Sequence, residues 1–220
     1  MDYIKNLFLS QFKTLALVSI SMLFSVFLLM IRIKLIHSFF FLFLVWNLFL
    51  AVIPFAISTY LKRIPKLNTF WFILWFGVWL LFLPNAPYII TDFLHLKVSS
   101  NHLMWLDILV IGAFALSGLL LFLFSLIDME KLLYKFLKKT FIKLLITAVL
   151  FLSAFGVYLG RFLRYNSWEI IQNPSTLFTD IFEILMEPSK HGEAWLFTLI
   201  FGAFLSLAYW MFKQLDNEGV

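Results

Sequence analysis

Residues 105–127 read WLDILVIGAFALSGLLLFLFSLI. After Asp107 the run carries no charge through Ile127. About 20 apolar residues in a helix cross roughly 30 Å of hydrocarbon. The stretch therefore predicts a transmembrane helix with one acidic residue near its start. Read outward from it, the chain offers five more nearly charge-free intervals: 14–31, 35–61, 67–83, 141–160 and 194–212. Pro84 is expected to stop the third span. Pro54 is expected to kink the second, with Asn47 as a buried polar group inside it. The expectation is an all-α fold: one integral membrane domain over residues 1–220, a polytopic bundle of six transmembrane helices.

Composition supports this class and excludes others. The chain of 220 residues is 63% hydrophobic and 13% charged. Soluble domains run about 45–50% apolar and about 25% charged. Too few charges remain to cover a water-facing surface. Cysteine is absent, which excludes disulfides, thiolate zinc sites, iron–sulfur clusters and catalytic thiols. The net charge of +5 is small for nucleic-acid binding, and the lysines flank apolar spans as loop lysines do. No cofactor is implied, and lipids are the expected surroundings. The 29 phenylalanines read as lipid-facing bulk. The lysine-bearing lead-in to the first span has no small-residue cleavage site after it, so that span reads as retained.

With six spans both termini share one side. That side holds the larger part of the lysines and arginines, including Lys62, Arg63, Lys66, Lys131, Lys135, Lys138, Lys139 and Lys143. Positive residues favour the cytoplasm, so both termini are expected there. In loop 128–140 the lysines stand opposite Leu132, Leu133, Phe136 and Leu137. That pattern predicts a helix able to lie on an anionic inner leaflet, or an ordinary topology signal. The two long polar connections, 84–104 and 161–193, fall on the outer side with all four histidines. Chemistry is expected there, on short amphipathic or re-entrant helices.

The first outer segment, residues 82–96, reads FLPNAPYIITDFLHL. Asn85 is read as an N-cap, and Pro87 as fitting the first turn of a short helix. On it Tyr88, Thr91, Asp92 and His95 share one face, at i, i+3, i+4 and i+7. Asp92 and His95 fit an orienting carboxylate and a general base, or two metal ligands; the candidate catalytic reading takes the former and assigns no metal. A capped interfacial helix with satisfied polar groups is the plain alternative.

The second outer segment, residues 160–171, reads GRFLRYNSWEII. If the fifth span continues outward, Arg161, Arg164 and Trp168 share a face. Guanidinium forks grip phosphate or carboxylate, and tryptophan suits the headgroup region. With Tyr88 and Thr91 these residues form a candidate pocket for an anionic lipid head or lipid-linked anion. The alternative is snorkelling arginines paired with Asp92, Asp107 or Glu169; Arg161 is expected to pair with Asp92 or Asp107. Pro84, Asn85, Pro87, Asn166 and Asn173 read as structural. Asn173 and Pro174 open an amphipathic helix over about 174–187, with Leu177, Phe178, Ile181, Phe182 and Leu185 as its apolar face. Asn85, Thr91 and Asp92 match Asn173, Thr179 and Asp180 at a constant offset, so a parallel repeat is conceivable.

At PNAPYIITDFLHL and GRFLRYNSWEII the chain resembles the bacterial polytopic membrane proteins grouped as domain of unknown function 1361. The resemblance covers roughly the second to the sixth span, and Pro84–Leu96 is its most specific part. It implies a bacterial plasma (inner) membrane location and brings no activity. Two classes stay open: a membrane protein binding or processing an anionic lipid or lipid-linked substrate at its outer face, or a non-enzymatic component, either a transporter or a partner-binding subunit of an envelope complex. The charge-free middles of all six spans weaken ion-coupled transport.

Overall fold

A computed structural model gives the structure of the protein and describes residues 2–98, 103–165 and 174–218. Every regular element among them is helical. In chain order these are α1 (Asp2–Ile36), a 3-10 turn (Phe40–Leu42), α2 (Phe43–Lys62), α3 (Thr69–Phe82) and α4 (Asn85–Tyr88). A 3-10 helix (Ile89–Val98), α5 (Met104–Leu133), α6 (Lys139–Arg161), α7 (Pro174–Met186) and α8 (Gly192–Glu218) follow. Six stretches of the described residues are long and apolar enough to cross a membrane, and the chain is a multi-pass integral membrane protein.

The helix of the opening quotation, α5, is the centre of the bundle. It packs against α1, α2, α4 and the 3-10 helix, and more lightly against α6 and α8. In its most apolar window 56% of residues are buried, against 17% in α1. Large apolar side chains such as Ile20, Trp71, Leu144 and Ile200 point outward and are exposed. Burial inside the bundle is therefore selective, and the rest of the apolar surface is on its outside. Within it, small hydroxyls join the helices: Ser21 and Ser117 lie 2.5 Å apart, Ser58 and Ser125 3.2 Å apart, and Trp79 Nε1 donates to Ser125 Oγ at 2.8 Å. Such short polar contacts hold helices together where lipid removes the hydrophobic drive.

The third span differs most from expectation. It runs Thr69–Lys97 and does not stop at Pro84. Leu83, Pro84 and Ile89 all keep right-handed helical backbone, because the φ that proline fixes is a helical one. What Pro84 and Pro87 lose is the N–H that would reach back four residues. Asn85 is not an N-cap: its Nδ2 donates to Phe82 O at 2.9 Å, in the loosened turn. The helix then tightens to 3-10 over Ile89–Val98. The motif is thus the second half of a span rather than a separate outer helix. Gly118 marks its approach to α5: a Cβ there would lie 2.5 Å from Ala86 O.

Three smaller expectations also change. Residues 128–133 are the last turns of α5, with Leu132 and Leu133 buried, and Phe136 stacks on Phe72 at 4.4 Å. Three of the four apolar residues named for loop 128–140 pack on protein, Leu137 stays exposed, and no surface helix forms there. Arg161 ends α6, whereas Arg164 stands on a left-handed residue with φ 63°; the two do not share a helical face. Thr91 and Asp92 lie in the 3-10 helix, whereas Thr179 and Asp180 lie in the α-helical α7, so the two matched pairs stand in different local structure.

The amphipathic helix expected over 174–187 is α7. Leu177 and Ile184 turn inward, while Phe178, Phe182 and Leu185 are exposed. Trp195 Nε1 donates to Ile184 O at 3.2 Å, tying α7 to the first turn of α8.

Candidate functional site

One guanidinium organises the end of the bundle opposite the chain termini. Arg161, the last residue of α6, reaches across to the third span. Its Nε donates to Thr91 Oγ1 at 2.7 Å. One terminal nitrogen meets His95 Nε2 at 3.0 Å, and the other donates to Asp92 Oδ1 in a short, direct ion pair. Its carbon lies 4.1 Å from the centroid of the Tyr88 ring. The four residues of the predicted polar stripe therefore meet a single side chain, and Arg161 pairs with one of its two expected partners. The second, Asp107, accepts from Arg32 Nε at 3.0 Å.

The third span delivers these contacts because Tyr88 closes α4 and the other three lie in the first seven residues of the 3-10 helix. Gly160 allows the approach: a Cβ there would stand 3.3 Å from the Tyr88 ring. Pro84 fits against Gly156 of α6 in the same way, at 2.6 Å from an added Cβ. Glycines on α6 and the proline motif on the third span are one interface, written in two distant segments.

Asp92 is fully buried. Its second oxygen accepts from Asn47 Nδ2 at 3.0 Å, so α2 completes the cage. Phe93 beside it lies against Gly112, about 12 Å along α5 from Met104 at 1.5 Å per residue. An unpaired carboxylate at that depth is costly; here one guanidinium and one amide satisfy it.

This geometry defines what the group can do. A guanidinium only donates, so His95 Nε2 accepts and the ring keeps its proton on Nδ1. Asp92 and His95 are 3.8 Å apart at their nearest oxygen and nitrogen, with Arg161 bonded to both. The guanidinium thus takes the place a cation would need between them. The pair is held through Arg161 and not as a direct carboxylate–imidazole couple.

Arg164 is exposed and has no hydrogen-bond or ion-pair partner among the described residues. Asn166, Trp168 and Asn173 lie outside the described residues.

Beside the cluster is a cavity of about 420 Å³. Trp46, Asn47 and Leu50 of α2 form one wall, and Leu152, Phe155, Gly156 and Leu159 of α6 the other. Pro84, Asn85 and Tyr88 form its floor on the third span, with Leu80 and Leu81 beneath them. Leu177 and Ile181 of α7 and Tyr165 line the remaining edge. Tyr165 Oη donates to Asp180 Oδ2 at 2.7 Å, fastening that edge. The volume falls within the range of ligand sites, about 300–1,000 Å³.

Sequence reading missed Arg32, which it treated only as the end of the first span. It noted Asn47 as a lone polar residue in an apolar span without assigning it to the site, although that is the usual signal of a committed hydrogen bond. Tyr165 and Asp180 carried no signal, since their contact joins a turn to a separate helix.

No curated protein and no solved structure matches the chain. The family model described as "Protein of unknown function (DUF1361)" matches residues 46–208, from the Trp46 wall of the cavity through α6 and most of α8. The match spans the Asn47, Asp92 and Arg161 cage entire, and the chain belongs to the DUF1361 family.

Proposed function

We propose that this membrane protein binds an amphiphile, a lipid or lipid-linked molecule, at the end of the bundle opposite its termini. The observation that carries the reading is the cavity between α2, the proline motif and α6. Its walls are largely apolar, with leucine the commonest residue, and its polar lining comes from Asn47, Asn85, Tyr88 and Tyr165. Apolar walls with a few convergent polar groups are the usual make-up of a ligand site. The Arg161 cage sets the spacing of the walls, with three of the guanidinium's five N–H donors engaged within the protein and its charge met by Asp92. The reading is therefore of binding, with Asp92 and His95 as positioning groups. The surroundings are a bacterial plasma membrane with both termini cytoplasmic, on the lysine distribution, so the cavity belongs to the outer leaflet.

The test is lipid retention. Protein purified in a polyoxyethylene detergent is extracted and its lipids are quantified by mass spectrometry. Leu152 lines the cavity yet is half exposed, so Leu152→Trp fills the space without displacing a core residue. Wild type should retain about one lipid per chain and the variant about tenfold less. Equal retention contradicts the reading.

A further inference from the structure

We propose that α7 is the lid of this cavity, latched shut by the hydrogen bond between Tyr165 and Asp180, and that the amphiphile exchanges when the latch opens. The inference rests on the binding reading above and names what regulates that site.

The first support is the division of α7 into three faces. At 3.6 residues per turn, Leu177, Asp180, Ile181 and Ile184 fall on one side. They face the protein: Leu177 and Ile181 line the cavity, Ile184 is buried beside Tyr158 and Ala194, and Asp180 accepts from Tyr165. Phe178, Phe182 and Leu185 follow on the next side, apolar and exposed. Thr179, Glu183 and Glu187 make the third, polar and exposed. A helix with such faces rests along a membrane boundary, with lipid on one side and water on another. It covers the cavity with its third face and can shift along the boundary without taking the other two out of their solvents.

The second support is how each wall is held. α2, the third span and α6 are membrane-spanning helices, and the Arg161 cage ties them together. α7 packs only lightly against the other described helices, and elements that move are drawn from such weakly held parts. Toward its C-terminal end Trp195 Nε1 donates to Ile184 O at 3.2 Å, which makes a hinge on α8. Over the cavity the Tyr165 hydroxyl donates to Asp180 Oδ2 at 2.7 Å.

Tyr165 belongs to the α6 side of this contact. Its N–H donates to Leu159 O at 3.1 Å, and Arg164 before it takes a φ of 63°. That left-handed conformation is unfavourable for a residue with a Cβ and persists where its surroundings hold it. The turn brings the chain back over the end of α6 and sets Tyr165 at the cavity edge. The latch thus joins a fixed donor to a lightly held helix, and a hydrogen bond to a carboxylate is among the stronger ones.

Lipid exchange tests the inference. The protein with its co-purified lipid, in polyoxyethylene detergent, is mixed with an excess of lipid extracted from the same cells grown in deuterated medium. Native mass spectrometry follows the replacement of light lipid by heavy. Tyr165→Phe keeps the ring at the cavity edge but removes the proton of the latch, and its half-time should be about tenfold shorter than that of wild type. The chain has no cysteine, so Tyr165→Cys/Asp180→Cys carries just two thiols. That variant should also exchange faster than wild type, and bridging its thiols with a short bismaleimide should slow exchange at least about tenfold below wild type. An unchanged half-time in Tyr165→Phe, or a bridged protein that exchanges as fast as the unbridged one, overturns the lid while the cavity reading stands. A wild type that carries no lipid overturns both.

Discussion

Arg161 and Asp92 form a buried ion pair between the last residue of α6 and the 3-10 half of the third span. The arginine side chain is 10% exposed and the aspartate is fully enclosed. Asn47 from α2 and Thr91 complete it, so three spans meet on one charge pair. Removing one partner of such a pair strands the other without water, and at full burial this costs about 3–5 kcal/mol.

Arg161→Ala should therefore lower the melting temperature in detergent sharply, while Arg164→Ala leaves it unchanged. The double variant Arg161→Gln/Asp92→Asn should melt above either single variant, since neither charge is then stranded. Strictly additive losses would contradict the coupling.

A second prediction concerns close packing at the motif. Gly118→Ala forces a Cβ against Ala86 O at 2.5 Å, backbone that cannot swing aside. It should cost about 1–3 kcal/mol, as overpacking does. Gly77 on α3 has nothing within 4 Å of an added Cβ, so Gly77→Ala should be neutral or slightly stabilising. Thermal melts of the two variants in one detergent decide the matter, and equal behaviour would argue against the α4–α5 contact.

At the opposite end Glu130 accepts from Lys213 Nζ at 2.6 and 2.7 Å and from the Tyr209 hydroxyl, holding α8 to α5. Glu130 is 5% exposed and Lys213 35%. A stranded lysine there can turn to water, and a stranded glutamate cannot. Lys213→Met should thus destabilise more than Glu130→Gln. The reverse order in melting experiments would contradict this asymmetry.

Sidedness is open to a direct test because the chain has no cysteine. Ser189 and Lys138 are both exposed, in connections at opposite ends of the bundle. Ser189→Cys should react with an impermeant maleimide on intact cells, and Lys138→Cys only after lysis. The inverse pattern would place the cavity in the cytoplasmic leaflet.

The number of spans was legible because charge-free intervals of helical length have few other uses. Their limits were less so. Arg32 lies within α1, since a buried partner, Asp107, removes the penalty that an isolated charge carries in lipid. Pro84 looked like a stop because proline breaks ladders, yet the backbone stayed helical through it. The stripe Tyr88, Thr91, Asp92 and His95 was visible at α-helical spacing and survives the change to 3-10 geometry, because all four needed only to reach one guanidinium. What no spacing rule exposed was the count of charges and countercharges in three dimensions. Arg161 reads alone as an anion clamp; with Asp92 spent on it, the same residue becomes a strut.

The account's central claim is that an amphiphile's chain lies between α2 and α6. Photo-crosslinking with a membrane lipid bearing a diazirine in its acyl chain measures this directly, with adducts mapped by peptide mass spectrometry. The account predicts adducts concentrated on the cavity residues Leu50, Leu80, Leu152 and Phe155, and suppressed by Leu152→Trp. Adducts spread over outward residues such as Ile20, Leu144 and Ile200, with the cavity residues unlabelled, would contradict it.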